Sequence, residues 1–268
     1  MNLFDAARAC LDAVDPAEKV ALTQRAAADF RAGNLSKAAA EPVVESICAP
    51  GRPDRPLLVA PRDLSKRGLG SVEGRAAFLH AIAHIEFNAI NLAWDAVYRF
   101  RDLPDEFQRD WVGVADDEAR HFSLLSRRLQ QLGYRYGDFP AHNGLWDMAE
   151  KTAHSCTARM ALVPRVLEAR GLDVTPAMII KLRAIGDHES VAILELILRE
   201  EVAHVAAGSR WFVWCCERDG LPPQTTFAAL IDGVAKGSIR GPFNRDARLA
   251  AGFDEAELRM IETLAALP

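Results

Sequence analysis

Apolar residues return every three or four positions along most of this chain, the period of helices that bury one face. Between Ser71 and about Phe100, Leu79, Ile82, Ala83, Ile90 and Ala93 fall on one side. From about 105 to 132 the stripe is Trp111, Val114, Ala115, Phe122 and Leu125, and from about 188 to 218 it is Leu194, Ile197, Leu198, Val205, Gly208 and Trp211. Another long helix is expected from about 144 to 170. Pro164 inside it predicts a kink or a carbonyl left free. Gly171-Leu-Asp-Val-Thr175-Pro176 predicts its end, with Thr175 as cap and Pro176 as first residue of a helix to about 185. Such a break within one turn of Glu168 reads either as a plain stop or as an opening beside that residue.

The flanks carry their own signals. Residues 3–14 are expected to form a short amphipathic helix. Asp15-Pro16-Ala17-Glu18 marks the start of a second, running to about Ala32 and stopping at Gly33-Asn34. Residues 41–70 are rich in proline and glycine and predict an extended arm. Leu57, Leu58, Val59 and Leu64 expect it to be buried against the helices. Residues 133–143 hold no helical pattern. Eleven extended residues span about 36 Å, enough to pass along a whole helix. After Gly220 a helix is expected at about 224–236, then a loop to Asn244 and a last helix near Asp254. The expected class is all-α, a four-helix bundle with one long crossover. Residues 1–70 would pack on it as helices and arm, 71–218 would form the bundle, and 219–268 would be a helical extension.

Composition narrows this only a little. The chain has 268 residues, half hydrophobic and a quarter charged, with net charge −5. That balance is ordinary for a globular protein and offers no overall basic field for nucleic acid. Arg127-Arg128 and the stretch from Lys236 to Arg248 are local basic candidates. Five cysteines without a CxxC spacing read as buried free thiols. No secretory signal and no membrane span are visible, so a cytoplasmic location is expected.

The chemistry sits on the helical stripes. Glu118-Ala-Arg-His121 and Glu201-Val-Ala-His204 each place a carboxylate and an imidazole one turn apart on one face. Glu86 precedes Glu118 by 32 positions, and Glu168 precedes Glu201 by 33. The midpoints fall at Arg101-Asp102-Leu103-Pro104 and beside Gly186-Asp187, both turn sequences, so each pair meets across an antiparallel hairpin. One Glu from each of two helices and Glu-x-x-His from each of the others is the di-metal carboxylate plan. Four carboxylates balance two divalent ions. Oxygen and imidazole donors suit iron first, with manganese the alternative. Asp117, Glu200 and Arg120 are candidates for the surrounding shell, the two acids as acceptors for a ligating imidazole of the opposite helix. His84 lies two positions from Glu86 and so faces away, which makes His80 and His84 packed or surface imidazoles. His154 is too distant along its helix to ligate. His142 and His188 could line an entrance.

Asp117-Glu-Ala-Arg-His-Phe122, Tyr136-Gly-Asp-Phe-Pro-Ala-His-Asn-Gly-Leu-Trp146, Arg165 to Pro176 and Arg199-Glu-Glu-Val-Ala-His204 together resemble a bacterial ferritin-like family described only as a domain of unknown function. More distantly, the bundle is similar to the tRNA hydroxylase that oxidises a modified adenosine. That resemblance implies a non-haem di-iron site at Glu86, Glu118, His121, Glu168, Glu201 and His204. The leading expectation is an oxygen-activating oxidoreductase. It would act on a small molecule or modified nucleoside, with an electron-donor protein as partner and a homodimer as assembly. Iron oxidation and storage, or tRNA binding around the metal, are the alternatives.

Overall fold

The computed structural model describes residues 2–37, 44–64, 68–234, 237 and 239–266, and these are all-α apart from one isolated bridge, Leu58 with Ala141. Residues 41–43 and 65–67 of the expected arm lie outside the described residues, as do 235, 236 and 238 of the C-terminal loop. The chain forms two compact units, Met1–Asp147 and Met148–Pro268.

In the first unit, α1 (Leu3–Asp12) starts in a capping box between Asn2 and Asp5. Helix α2 (Pro16–Arg31) starts where Asp15 Oδ1 accepts from Glu18 N, 2.9 Å away. Its Lys19 is buried, donating to the carbonyls of Cys10 and Leu11 and to Asn91 Oδ1. The ammonium therefore satisfies carbonyls left open at the end of α1 and joins both helices to α3 (Val72–Arg99). Burial pushes Lys19 down to about 8. Ser71 Oγ caps α3, and a turn through Leu103 leads into α4 (Asp105–Gln131). Phe100 meets Phe107, and Phe87 meets Phe122, so the two helices run antiparallel in even register.

The arm lies along this unit through its backbone more than its side chains. Val59 N donates to Ala141 O and Ala141 N to Leu57 O. Leu57 itself is 58% exposed, contrary to expectation, and Leu58, Val59 and Leu64 are half-buried. At the other end Gly51 N donates to Leu11 O, where a Cβ would lie 2.2 Å from Asp12 O. Residues 133–143 are non-helical, as expected, and run beside α3 with the Tyr136 ring stacked on His80.

The second unit begins within α5 (Gly144–Lys151). It continues as α6 (Cys156–Leu162), a π-helical segment (Val163–Glu168), α7 (Ala169–Ala184), α8 (His188–Arg218), α9 (Pro223–Val234), α10 (Arg245–Ala250) and α11 (Glu255–Ala266). Two expectations are corrected here. The helix foreseen from 144 to 170 is interrupted at 152–155, where the buried Arg159 donates to Ala149 O and Thr152 Oγ1 and so closes the end of α5. The break foreseen at Gly171–Pro176 is absent, because α7 runs straight through both residues. Proline has no N–H to give to the carbonyl four residues back. That carbonyl, Leu172 O, instead accepts from Asn244 Nδ2 at 3.1 Å. No opening beside Glu168 follows from this stretch. Helix α10, not foreseen, starts at the same Asn244, whose Oδ1 accepts from Ala247 N.

Where Pro164 is expected to kink the helix or free a carbonyl, the chain forms a π-helical segment. Its ring sits on α8 at Gly208, where a Cβ would fall 2.3 Å from Pro164 Cγ. A proline ring cannot swing aside. Gly208→Ala should therefore lower stability by about 1–3 kcal/mol in urea unfolding. Asn244→Ala should cost a similar amount, about 1–3 kcal/mol, by leaving Leu172 O unpaired. In a Pro176→Ala background the restored N–H should shrink that loss, which a double-mutant cycle measures directly.

Candidate metal centre

Glu86 stands mid-way along α3, and Glu118 and His121 one turn apart on α4. The hairpin brings all three together, with one ligand atom from each within 4.8 Å of the others. His121 Nδ1 lies 3.1 Å from Glu86 Oε2 and 3.4 Å from Glu118 Oε2. The three residues are 4%, 1% and 0% exposed, so water screens none of this charge. Burial, then the neighbouring Glu118 charge, holds the Glu86 carboxyl well above the ordinary carboxylate range. Burial alone would lower His121, but Glu118 and Glu86 outweigh it and raise the imidazole strongly. Two dry carboxylates facing one imidazole are a donor set of the kind that can hold a divalent cation.

In the second unit, Glu201 and His204 share a face of α8, with Nδ1 and Oε1 3.4 Å apart. His204 is buried and Glu201 half-buried. Glu168 is half-buried at the end of the π segment. The Arg183–Glu195 ion pair, Pro164 against Gly208 and Thr157 Oγ1 donating to Asp219 Oδ2 show that the chain from α6 to α7 runs antiparallel to α8. Counting four residues on from Pro164 and four back from Gly208 puts Glu168 level with His204. Each of the two helix pairs thus carries one Glu and one Glu-x-x-His along its length.

Around these residues, Asp117 and Arg120 are half-exposed and form an i,i+3 ion pair at 2.7 Å. Glu200 is half-buried beside Glu201. His80 and His84 are packed on the side of α3 away from Glu86. His80 Nε2 accepts from Gly137 N, and His84 Nδ1 accepts from the Tyr136 hydroxyl at 2.9 Å. Burial lowers both to about 4, which leaves neutral rings as acceptors. His154 and His188 are exposed, and His142 Nδ1 accepts from Gly144 N. Cys48 is exposed, against the expectation of buried thiols, whereas Cys10, Cys156, Cys215 and Cys216 are buried. Of the basic candidates in the tail, Arg245 pairs with Glu255 and Glu262, and Arg248 with Asp173; Lys236 lies outside the described residues. Sequence reasoning missed Arg165, which is buried three positions before Glu168. A lone arginine in the apolar run Ala161-Leu-Val-Pro-Arg-Val-Leu was its signal, since such a charge is buried only with partners.

Among the described residues no helix is long and apolar enough to cross a membrane. No solved structure matches the chain. It is 50% identical over 216 residues to an uncharacterized protein of Haemophilus influenzae, covering 78% of this chain and 75% of that one. The model of a family described as a protein of unknown function, DUF455, matches residues 12–259, and the chain belongs to that family.

Proposed function

We propose that this protein is a non-haem di-metal carboxylate oxidoreductase. In this reading the fold is ferritin-like, and Glu86, Glu118, His121, Glu168, Glu201 and His204 hold two divalent ions, iron or manganese. The observation that carries this is the dry convergence of Glu86, Glu118 and His121 on one hairpin. The matching Glu201–His204 turn on α8 supports it. Ions bound there would supply one-electron chemistry toward oxygen. The chain's own part is to fix the donors, to shield them with residues such as Phe87, Trp111, Phe122 and Trp211, and to balance the ionic charge with carboxylates. The substrate is a small molecule or, by the resemblance to the tRNA hydroxylase, a modified nucleoside. Electrons would come from a separate donor protein.

Anaerobic loading with ferrous ion tests this directly. The wild type should take up two ions per chain and, on admission of oxygen, convert them to ferric with oxygen consumed. Retained ferrous iron would overturn the redox assignment. Replacing His121 and His204 together by Ala should lower metal affinity by at least about tenfold; unchanged uptake would overturn the site.

The pH dependence has a definite sign. Glu86 and His121 both sit above their unfolded values without metal. The stability this gives is fully present at acid pH and is lost as pH rises through the folded values. Bound cations remove the need for those protons. Metal should therefore raise the melting temperature more at about pH 9 than at about pH 6, with protons released on uptake.

A further inference from the structure

We propose that Arg165 is a positioning residue for Glu168, through which the C-terminal extension sets the second metal position; this rests on the metal assignment above. Arg165 is 1% exposed. Its guanidinium lies 4.8 Å from the Phe212 ring centre, 4.2 Å from Phe227 and 4.5 Å from Phe253. Nη2 donates to Glu257 Oε1 at 2.6 Å, while Nε and Nη1 have no hydrogen-bond partner among the described residues. A dry guanidinium in that state depends on its one carboxylate and its aromatic faces, and has no other place to turn.

The far end of this contact is itself fixed. Glu257 Oε2 accepts from Asp254 N, and Asp254 Oδ1 accepts from Glu257 N, a reciprocal cap at the start of α11. On its near side the preceding residue, Pro164, is held against Gly208 of α8. Consecutive residues of the π segment are thus pinned to two different neighbours.

The π turn is what makes both placements compatible. In an α-helix, residues three apart share a face. A π turn closes i to i+5, so each residue advances by a smaller angle and the third stops short of the first one's face. Arg165 can then face the extension while Glu168 turns away from it. Loss of the Arg165 contact lets the segment relax toward α geometry and moves Glu168 out of place.

Cobalt(II) titration of the metal-free protein, followed by ligand-field absorption, tests this. The wild type should bind two ions. Arg165→Met should weaken the second at least about tenfold and change its spectrum, with the first unaltered, and Arg165→Lys should recover most of the loss. Arg248→Met is the control. It removes a bidentate clamp from Asp173 on α7, at 2.9 and 2.7 Å, and Arg248 shares with Arg165 the Phe253 ring but not the Glu257 carboxylate. It should lower the melting temperature yet keep both ions. If Arg165→Met does not fold, Glu257→Gln carries the same test with a smaller shift.

Two unaltered ions in the folded Arg165 or Glu257 variant would overturn the inference alone. Equal loss in Arg248→Met would also overturn it, by showing a merely structural effect. A wild type that binds no cobalt would overturn the metal assignment with it.

Discussion

Two carboxylates taken out of water beside one imidazole are the constraint around which the first unit is arranged. An isolated charge in a dry core costs several kcal/mol or more. Glu86 and Glu118 bear this together, and burial beside Glu118 holds the Glu86 carboxyl above the ordinary carboxylate range. A fold built only for stability would fill these positions with leucine. Their presence on facing stripes of α3 and α4 makes sense when a cation completes the set. The aromatic residues around them, Phe87 and Phe122, keep the chamber dry and so strengthen every electrostatic contact inside it.

The outer face of α3 solves a different problem. The chain from Gly133 to Asn143 has no helix of its own, so its polar groups need partners. His80 and His84 provide them, accepting from Gly137 N and the Tyr136 hydroxyl. One helix therefore serves the acidic chamber with one face and anchors a non-helical segment with the other.

In the second unit the C-terminal extension compensates for two prolines. Pro176 costs α7 a hydrogen bond, and Asn244 replaces it. Pro164 turns the preceding segment into a π helix, and Arg165, gripped by residues of α8, α9 and the α11 region, holds that geometry. The extension thus belongs to the structure of the helices that carry Glu168, Glu201 and His204. Arg245 and Arg248, which read as a basic patch, are occupied with acids inside the unit.

The sequence by itself determined the helices and the donors. Apolar period, the cap at Asp15, the helix start at Ser71 and even spacing about the turn near Asp102 placed Glu86 opposite Glu118 and His121. These depend on neighbours within a turn or on hairpin geometry, which spacing alone encodes. Tertiary structure decided what spacing cannot carry. Gly171 and Pro176 read locally as a stop, yet α7 continues because a side chain 72 positions away supplies the missing donor. Leu57 read as buried, yet the arm is held by its backbone. The burial of Arg165 depended on three rings distant in sequence. Contacts between segments far apart along the chain leave no periodic mark, and only the folded molecule reveals which partner satisfies which group.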